Sequence, residues 1–233
     1  MKEFSQDTYF FNVEDAIKES QKNYLVNIGH PTIFGRQICY YNADEKLDNL
    51  PDNCIFVPLE NFYNFFYTTK YRIPSRVVVY NDDFDNPMEA KLLSDQLVEI
   101  LKIAKNDRNN LINLYFDENK NLVPNFDDEK LRIFIPTTKY TTVMQYVSKA
   151  IYDVLKENDK YDVKLYIEET DFESMQDFLP LLVEYHNFNP HIVININSLY
   201  SFCNEKVFNF VWFQDPMPFI MNEEKYQKKE REY

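Results

Sequence analysis

The chain reads as an α/β protein. Residues 131–233 form half of a doubly wound parallel sheet (β-α-β-α-β-β), preceded by a smaller α/β domain over 1–116. Three observations predict this. Hydrophobic residues make up 45% of the 233 positions and aromatics 17%, which suits a packed core and not a disordered chain. Along the second half the apolar positions switch repeatedly between a period of two and helical spacing, and strands alternating with helices imply a parallel sheet with right-handed crossovers. Between the two patterned regions, "DENKNLVPNFDDEK" (117–130) is polar, acidic and interrupted by a proline, and reads as a linker.

In the first half, "YLVNI" (24–28), "QICYY" (37–41), "NCIFV" (53–57), "SRVVVY" (75–80) and "NLINLYF" (110–116) read as strands. "LENFYNFFYTT" (59–69) reads as a helix, and 86–105 is a second one, with Leu93, Leu97, Ile100, Leu101 and Ala104 on one face. The second half opens with the short apolar strand "LRIFIP" (131–136). Val143, Val147, Ala150, Ile151 and Val154 then mark a helix face, with Thr142 and Gln145 spaced for a capping box. "YDVKLYIE" (161–168) alternates as a strand, and Met175, Phe178, Leu179, Leu182 and Val183 make the next helical stripe. "HIVININ" (191–197) and "VFNFVWF" (207–213) close the series, joined by a connection short for a crossover.

Composition excludes several function classes. Net charge is −13 with no basic cluster before the terminal "KYQKKERE", which argues against nucleic acid and anionic membranes as partners. No run approaches the roughly 18 apolar residues of a membrane span, and "MKEFSQDTYFF" lacks the order of a signal peptide. Cys39, Cys54 and Cys203 are scattered without metal or redox spacing, so a cytoplasmic location with reduced thiols is expected. Only two glycines occur, Gly29 and Gly35. A Walker loop and a G-x-G-x-x-G turn both need glycines for backbone N–H groups to approach phosphates, so a nucleotide held by a glycine-rich loop is excluded within this chain.

Ligands of open parallel sheets bind beyond the carboxyl ends of the strands. After the first strand of the second half come Pro136, Thr137, Thr138, Lys139 and Tyr140; the third ends in Asn195, Ile196 and Asn197; the fourth ends in Gln214, Asp215 and Pro216. Hydroxyls, carboxamides and a carboxylate gathered on one rim suit a polyhydroxylated ligand. Thr137, Thr138, Lys139, Asn197, Gln214 and Asp215 are therefore the candidate binding residues. Polar groups at strand ends are also what any loop start displays, and Asp215-Pro216 is equally a turn start.

The order of these elements, with "NPHIVININ" followed by "VFNFVWFQDPMP", resembles the N-terminal domain of bacterial GT-B glycosyltransferases. The resemblance covers roughly 131–233, less than half of the chain, and is most specific at 207–218. It implies a Rossmann-like acceptor-side domain, in which Trp212 and Phe210 anchor the last strand in the core while Gln214 and Asp215 emerge at a cleft. It also implies a nucleotide-sugar donor held by a C-terminal domain missing from residues 1–233, a sugar or glycan acceptor, no cofactor within this chain, and no transfer by residues 1–233 alone. Where many members carry a glycine-rich loop after the first strand, this chain has Thr-Thr-Lys-Tyr-Thr-Thr (137–142), which puts a phosphate contact there in doubt.

Other residues carry weaker chemistry. His186 and His191 lack a third ligand at suitable spacing, so they read as solvated loop histidines and no metal site is expected. His30, after a strand in the one glycine-containing loop, is a candidate catalytic base beside Asp215, with a turn residue as the alternative. "NDDFD" (81–85) reads as an acidic helix start favoured by the helix dipole, and no G-x-S-x-G elbow is present. Two classes remain: the acceptor-side portion of a glycosyltransferase, and a non-catalytic α/β binding or regulatory module. The phosphoreceiver subtype of the second needs an Asp closing the third strand, where this chain has Asn197.

Overall fold

The structure, a computed structural model, describes residues 7–27, 38–43, 45–51, 53–139, 142–169, 178–214 and 231. It divides into two compact units, Met1–Asn110 and Leu111–Tyr233. It is an α/β protein with two parallel sheets.

The first unit contains β1 (Thr8–Phe10), α1 (Val13–Asn27), β2 (Cys39–Tyr41), β3 (Cys54–Phe56), α2 (Phe62–Thr68) and β4 (Arg76–Val78), and it holds the start of α3 (Pro87–Asn121). Its strands lie in the order β3-β2-β1-β4, all neighbours parallel. Successive side chains point to opposite faces of a strand. Phe10, Cys39, Tyr41 and Val78 accordingly pack with Ala16 of α1 on one face. On the other, Tyr9 meets the Phe62 ring of α2 at 4.8 Å and Tyr40 meets Phe66 at 5.0 Å.

Two predicted strands are helical. Residues 24–27 of "YLVNI" supply the end of α1, whose start is set by Asn12: its Oδ1 accepts the Glu14 N–H at 2.8 Å, an N-cap, with Glu14 and Asp15 favourably placed in the first turn. β1 takes the strand role there, too short to stand out by alternation. "NLINLYF" continues α3, and so do the first five residues of the stretch read as a linker. The physical reason is Arg108. Leu97, Leu101, Ala104, Arg108, Ile112, Tyr115 and Asn119 keep helical spacing throughout. Arg108 is nevertheless buried, with Nη1 donating to the Tyr67 carbonyl at 3.1 Å, so an apolar pattern breaks where the helix does not.

The second unit contains the end of α3, then β5 (Leu131–Thr137), α4 (Thr142–Lys156), β6 (Tyr161–Ile167), α5 (Leu179–Phe188), β7 (Ile192–Ile196) and β8 (Phe208–Trp212). The strand order is β6-β5-β7-β8, again all parallel. The chain leaves β5 to one side for β6 and returns on the other for β7, so right-handed crossovers put α4 and α5 on opposite faces. Central β5 is buried on both: Ile133, Phe134 and Ile135 are all sequestered. Phe134 and Val193 pack with Leu181, Leu182 and Tyr185 of α5 and with Phe202, Cys203 and Val207.

Several expectations change here. α4 is rotated from its predicted stripe: Ser148 is fully buried, whereas Val143 and Val154 are 64% and 69% exposed. Thr142 is the first helical residue and not a cap, and Gln145 reaches back to the Lys139 carbonyl. α5 begins only after Phe178, and Met175 lies outside the described residues. Trp212 and Phe210 do not anchor the core. β8 is an edge strand, and they face outward at 51% and 41% exposure while Asn209 is buried.

His191 is not a solvated loop residue. It is completely buried, with Nδ1 accepting the Arg132 N–H at 2.8 Å and Nε2 2.5 Å from the Asn125 carbonyl. His186 is half-buried, with Nδ1 3.1 Å from Asn119 Oδ1 and its ring edge-on to Tyr115. No helix among the described residues is long and apolar enough to cross a membrane.

Candidate functional site

Three polar side chains end three adjacent parallel strands of the second unit. Thr137 closes β5, Glu168 follows β6, and Asn197 follows β7; all three are buried. Their nearness follows from the strand order, because β6 and β7 flank β5 and the sheet reverses direction of growth between β5 and β7. At such a reversal the connections diverge to opposite faces and leave a crevice. A cavity of about 540 Å³ lies there.

Glu168 is the carboxylate of the cavity, only 8% exposed. Its backbone N–H extends the ladder to the Thr137 carbonyl at 3.2 Å, which fixes where the side chain starts. Oε2 accepts the Thr138 hydroxyl at 2.7 Å and the Lys139 N–H at 3.1 Å. Two donors thus converge on that oxygen and fix its position. The Lys139 ammonium donates to the Glu169 carbonyl.

Asn197 has φ 51°, a left-handed conformation that Asn tolerates better than other side-chain-bearing residues. In that conformation its N–H donates to the Trp212 carbonyl at 3.0 Å while Oδ1 accepts the Gln214 N–H at 2.7 Å. It therefore ties the exit of β8 to the cavity rim.

Part of the cavity wall is aromatic. Phe116, Phe178, Tyr200 and Phe202 line it. Their rings touch in series: Phe116 and Phe202 at 6.4 Å, Tyr200 and Phe202 at 5.2 Å, Phe178 and Tyr200 at 6.5 Å. Burial raises the Tyr200 hydroxyl well above the usual tyrosine range, and the Glu168 charge adds to the effect against a weaker lowering by Ser198. Tyr200 is thus a neutral hydroxyl at working pH. Phe178 holds φ 57°, a strained region for a bulky side chain, and lines the cavity.

Of the expected site residues, Thr137, Thr138 and Asn197 line the cavity. Lys139 contributes its N–H to Glu168, and Gln214 is held through its backbone by Asn197, but neither is among the lining residues. Asp215 and His30 lie outside the described residues. Glu168 was missed, although it closes the strand read as 161–168 and the rule of inspecting strand ends reaches it. The aromatic wall had no comparable signal, since its members come from a helix, a helix entry and a loop.

Fold and cavity together define a class: a parallel α/β protein with a small-molecule-sized cavity at the carboxyl ends of its strands. No family profile, curated protein or solved structure matches the chain.

Proposed function

We propose that this chain is the acceptor-side portion of a bacterial glycosyltransferase and that the cavity above β5, β6 and β7 receives a sugar of the acceptor. The observation that carries the proposal is the pairing of an aromatic wall with buried Glu168, Thr137 and Asn197. A pyranose has apolar C–H faces that lie against rings and hydroxyl edges that bond to carboxylates, amides and hydroxyls. About 540 Å³ falls within the range of about 300–1,000 Å³ usual for small-ligand sites. The strand order supports reading the unit as the Rossmann-like half of a GT-B acceptor domain. On this reading the nucleotide-sugar donor belongs to a C-terminal glycosyltransferase domain, and residues 1–233 receive a sugar without transferring it.

Saturation-transfer NMR with neutral mono- and disaccharides tests the proposal. Ring C–H protons of at least one sugar should receive magnetisation from the protein. Thr137→Val should weaken that binding about ten-fold, the loss of one buried hydrogen bond, while circular dichroism stays unchanged. If no sugar binds the folded chain, the reading fails.

A further inference from the structure

We infer that the outer edge of β6 is a self-association surface. Two copies of this chain pair β6 against β6, antiparallel about a twofold axis at Val163, and join their four-stranded sheets into one. The two edges of that sheet differ. On β8 the chain meets its own backbone: the Asn209 N–H donates to the Arg231 carbonyl at 2.9 Å, and the Arg231 guanidinium lies 4.6 Å from the Phe208 ring centre. β6 is the opposite edge, seven residues long. Its ladder to β5 uses alternate residues. The Lys160 carbonyl accepts the Leu131 N–H at 3.0 Å and the Glu168 N–H reaches the Thr137 carbonyl at 3.2 Å, with unbroken register between them. Even-numbered residues therefore bond inward, and the N–H and C=O groups of Val163, Leu165 and Ile167 point outward. Among the described residues no backbone group bonds to these three on that side. Such a row is a template for another strand.

The side chains say which strand fits. Tyr161-Asp162-Val163-Lys164-Leu165 reads apolar, acidic, apolar, basic, apolar, a pattern complementary to itself when reversed about Val163. In that register Val163 exchanges both backbone bonds with its symmetry mate, and Tyr161 meets Leu165. Asp162 then stands opposite Lys164 of the second copy, twice by symmetry, in the closer non-hydrogen-bonded positions. Asp162 is exposed. Lys164 is held by Glu184 of α5, with its ammonium 5.8 Å from the Phe188 ring centre, so its cation stays over its own sheet face and does not project from the edge as a guard. Neighbouring registers oppose like charges. Centring on Lys164 or on Asp162 sets that residue against itself, and centring on Leu165 sets Asp162 against Glu168.

Sedimentation velocity of the full chain, from low micromolar to submillimolar concentration, tests this. The mass should rise from one chain to two and no further. Val163→Pro removes an N–H that the ladder to β5 does not use. Circular dichroism should therefore stay unchanged while the dimer weakens about ten-fold or more. Asp162→Lys and Lys164→Asp each oppose like charges and should weaken it similarly. An equimolar mixture of those two variants should associate again, since every cross-strand pair is then of opposite sign. Should a charge change disturb folding, Val163→Pro alone decides. A chain that stays monomeric, a mass that grows past two copies, a dimer indifferent to Val163→Pro, or a mixture of folded charge variants that stays apart overturns the inference.

Discussion

Trp212 sits on an edge strand with half of its surface in water, and that placement governs what its indole contributes. Truncating an exposed aromatic removes little packed surface, so Trp212→Ala should cost about 1 kcal/mol or less in a urea melt. Phe134, fully buried in the central strand, should cost about 3–5 kcal/mol as Phe134→Ala. Equal losses would mean that β8 is covered in solution. Thr137, Thr138 and Asn197 were legible from sequence because each sits at or just past the end of a β-run, where a parallel sheet presents its ligands. The indole was misread because hydrophobicity says how much a residue gains from burial, not which face of an edge strand it occupies.

At the scale of elements, the segment 122–130 is better anchored than its composition implies. His191 holds two of its neighbours' backbone groups, Arg132 donates to the Asn189 carbonyl at 2.7 Å and pairs with Asp128, and Asn125 bonds Asp128 at 2.7 Å. His191→Ala leaves the Arg132 N–H and the Asn125 carbonyl without the imidazole, each a costly buried loss. Phe126, exposed within the loop, then becomes the expected chymotrypsin site. Cleavage there should quicken in His191→Ala at a temperature where helix content is unchanged; an unaltered rate would show that the imidazole is not the anchor. Polar sequence suggested a linker because side-chain-to-backbone bonds from distant residues leave no local mark.

Taken whole, the molecule sequesters ionisable aromatics and thiols in both units. Burial pushes the Cys39 thiol from 9.0 up to about 12, with Cys54 and nearby acids adding smaller repulsions. Burial also raises Tyr9 in the first unit and Tyr185 in the second above the usual tyrosine range. In each case the folded state keeps a proton that the unfolded chain has released, so stability declines as pH rises between the unfolded and folded values. For Cys39 that contribution is complete below about pH 9 and is lost toward 12. The urea midpoint should therefore stay level up to about pH 9 and fall steadily above it, with phenolate absorbance of the buried tyrosines emerging only with unfolding. A midpoint that rises with alkaline pH would contradict this burial.

Sequence by itself determined the fold class, because helix and strand periods are local properties of where apolar side chains fall. The β-α-β-α-β-β order of the second unit, the absence of any glycine-rich phosphate loop and most strand positions follow from it. Tertiary structure alone decided the rest. It turned α4 by a fraction of a turn, carried α3 past a buried arginine, exposed Trp212, buried His191, and brought Glu168 into one cavity with rings that lie 10 to 52 residues away in the chain. The reason is physical. Which apolar face is covered, and which polar group finds a partner, depends on contacts between segments distant along the chain, and a period read within one segment carries no information about them.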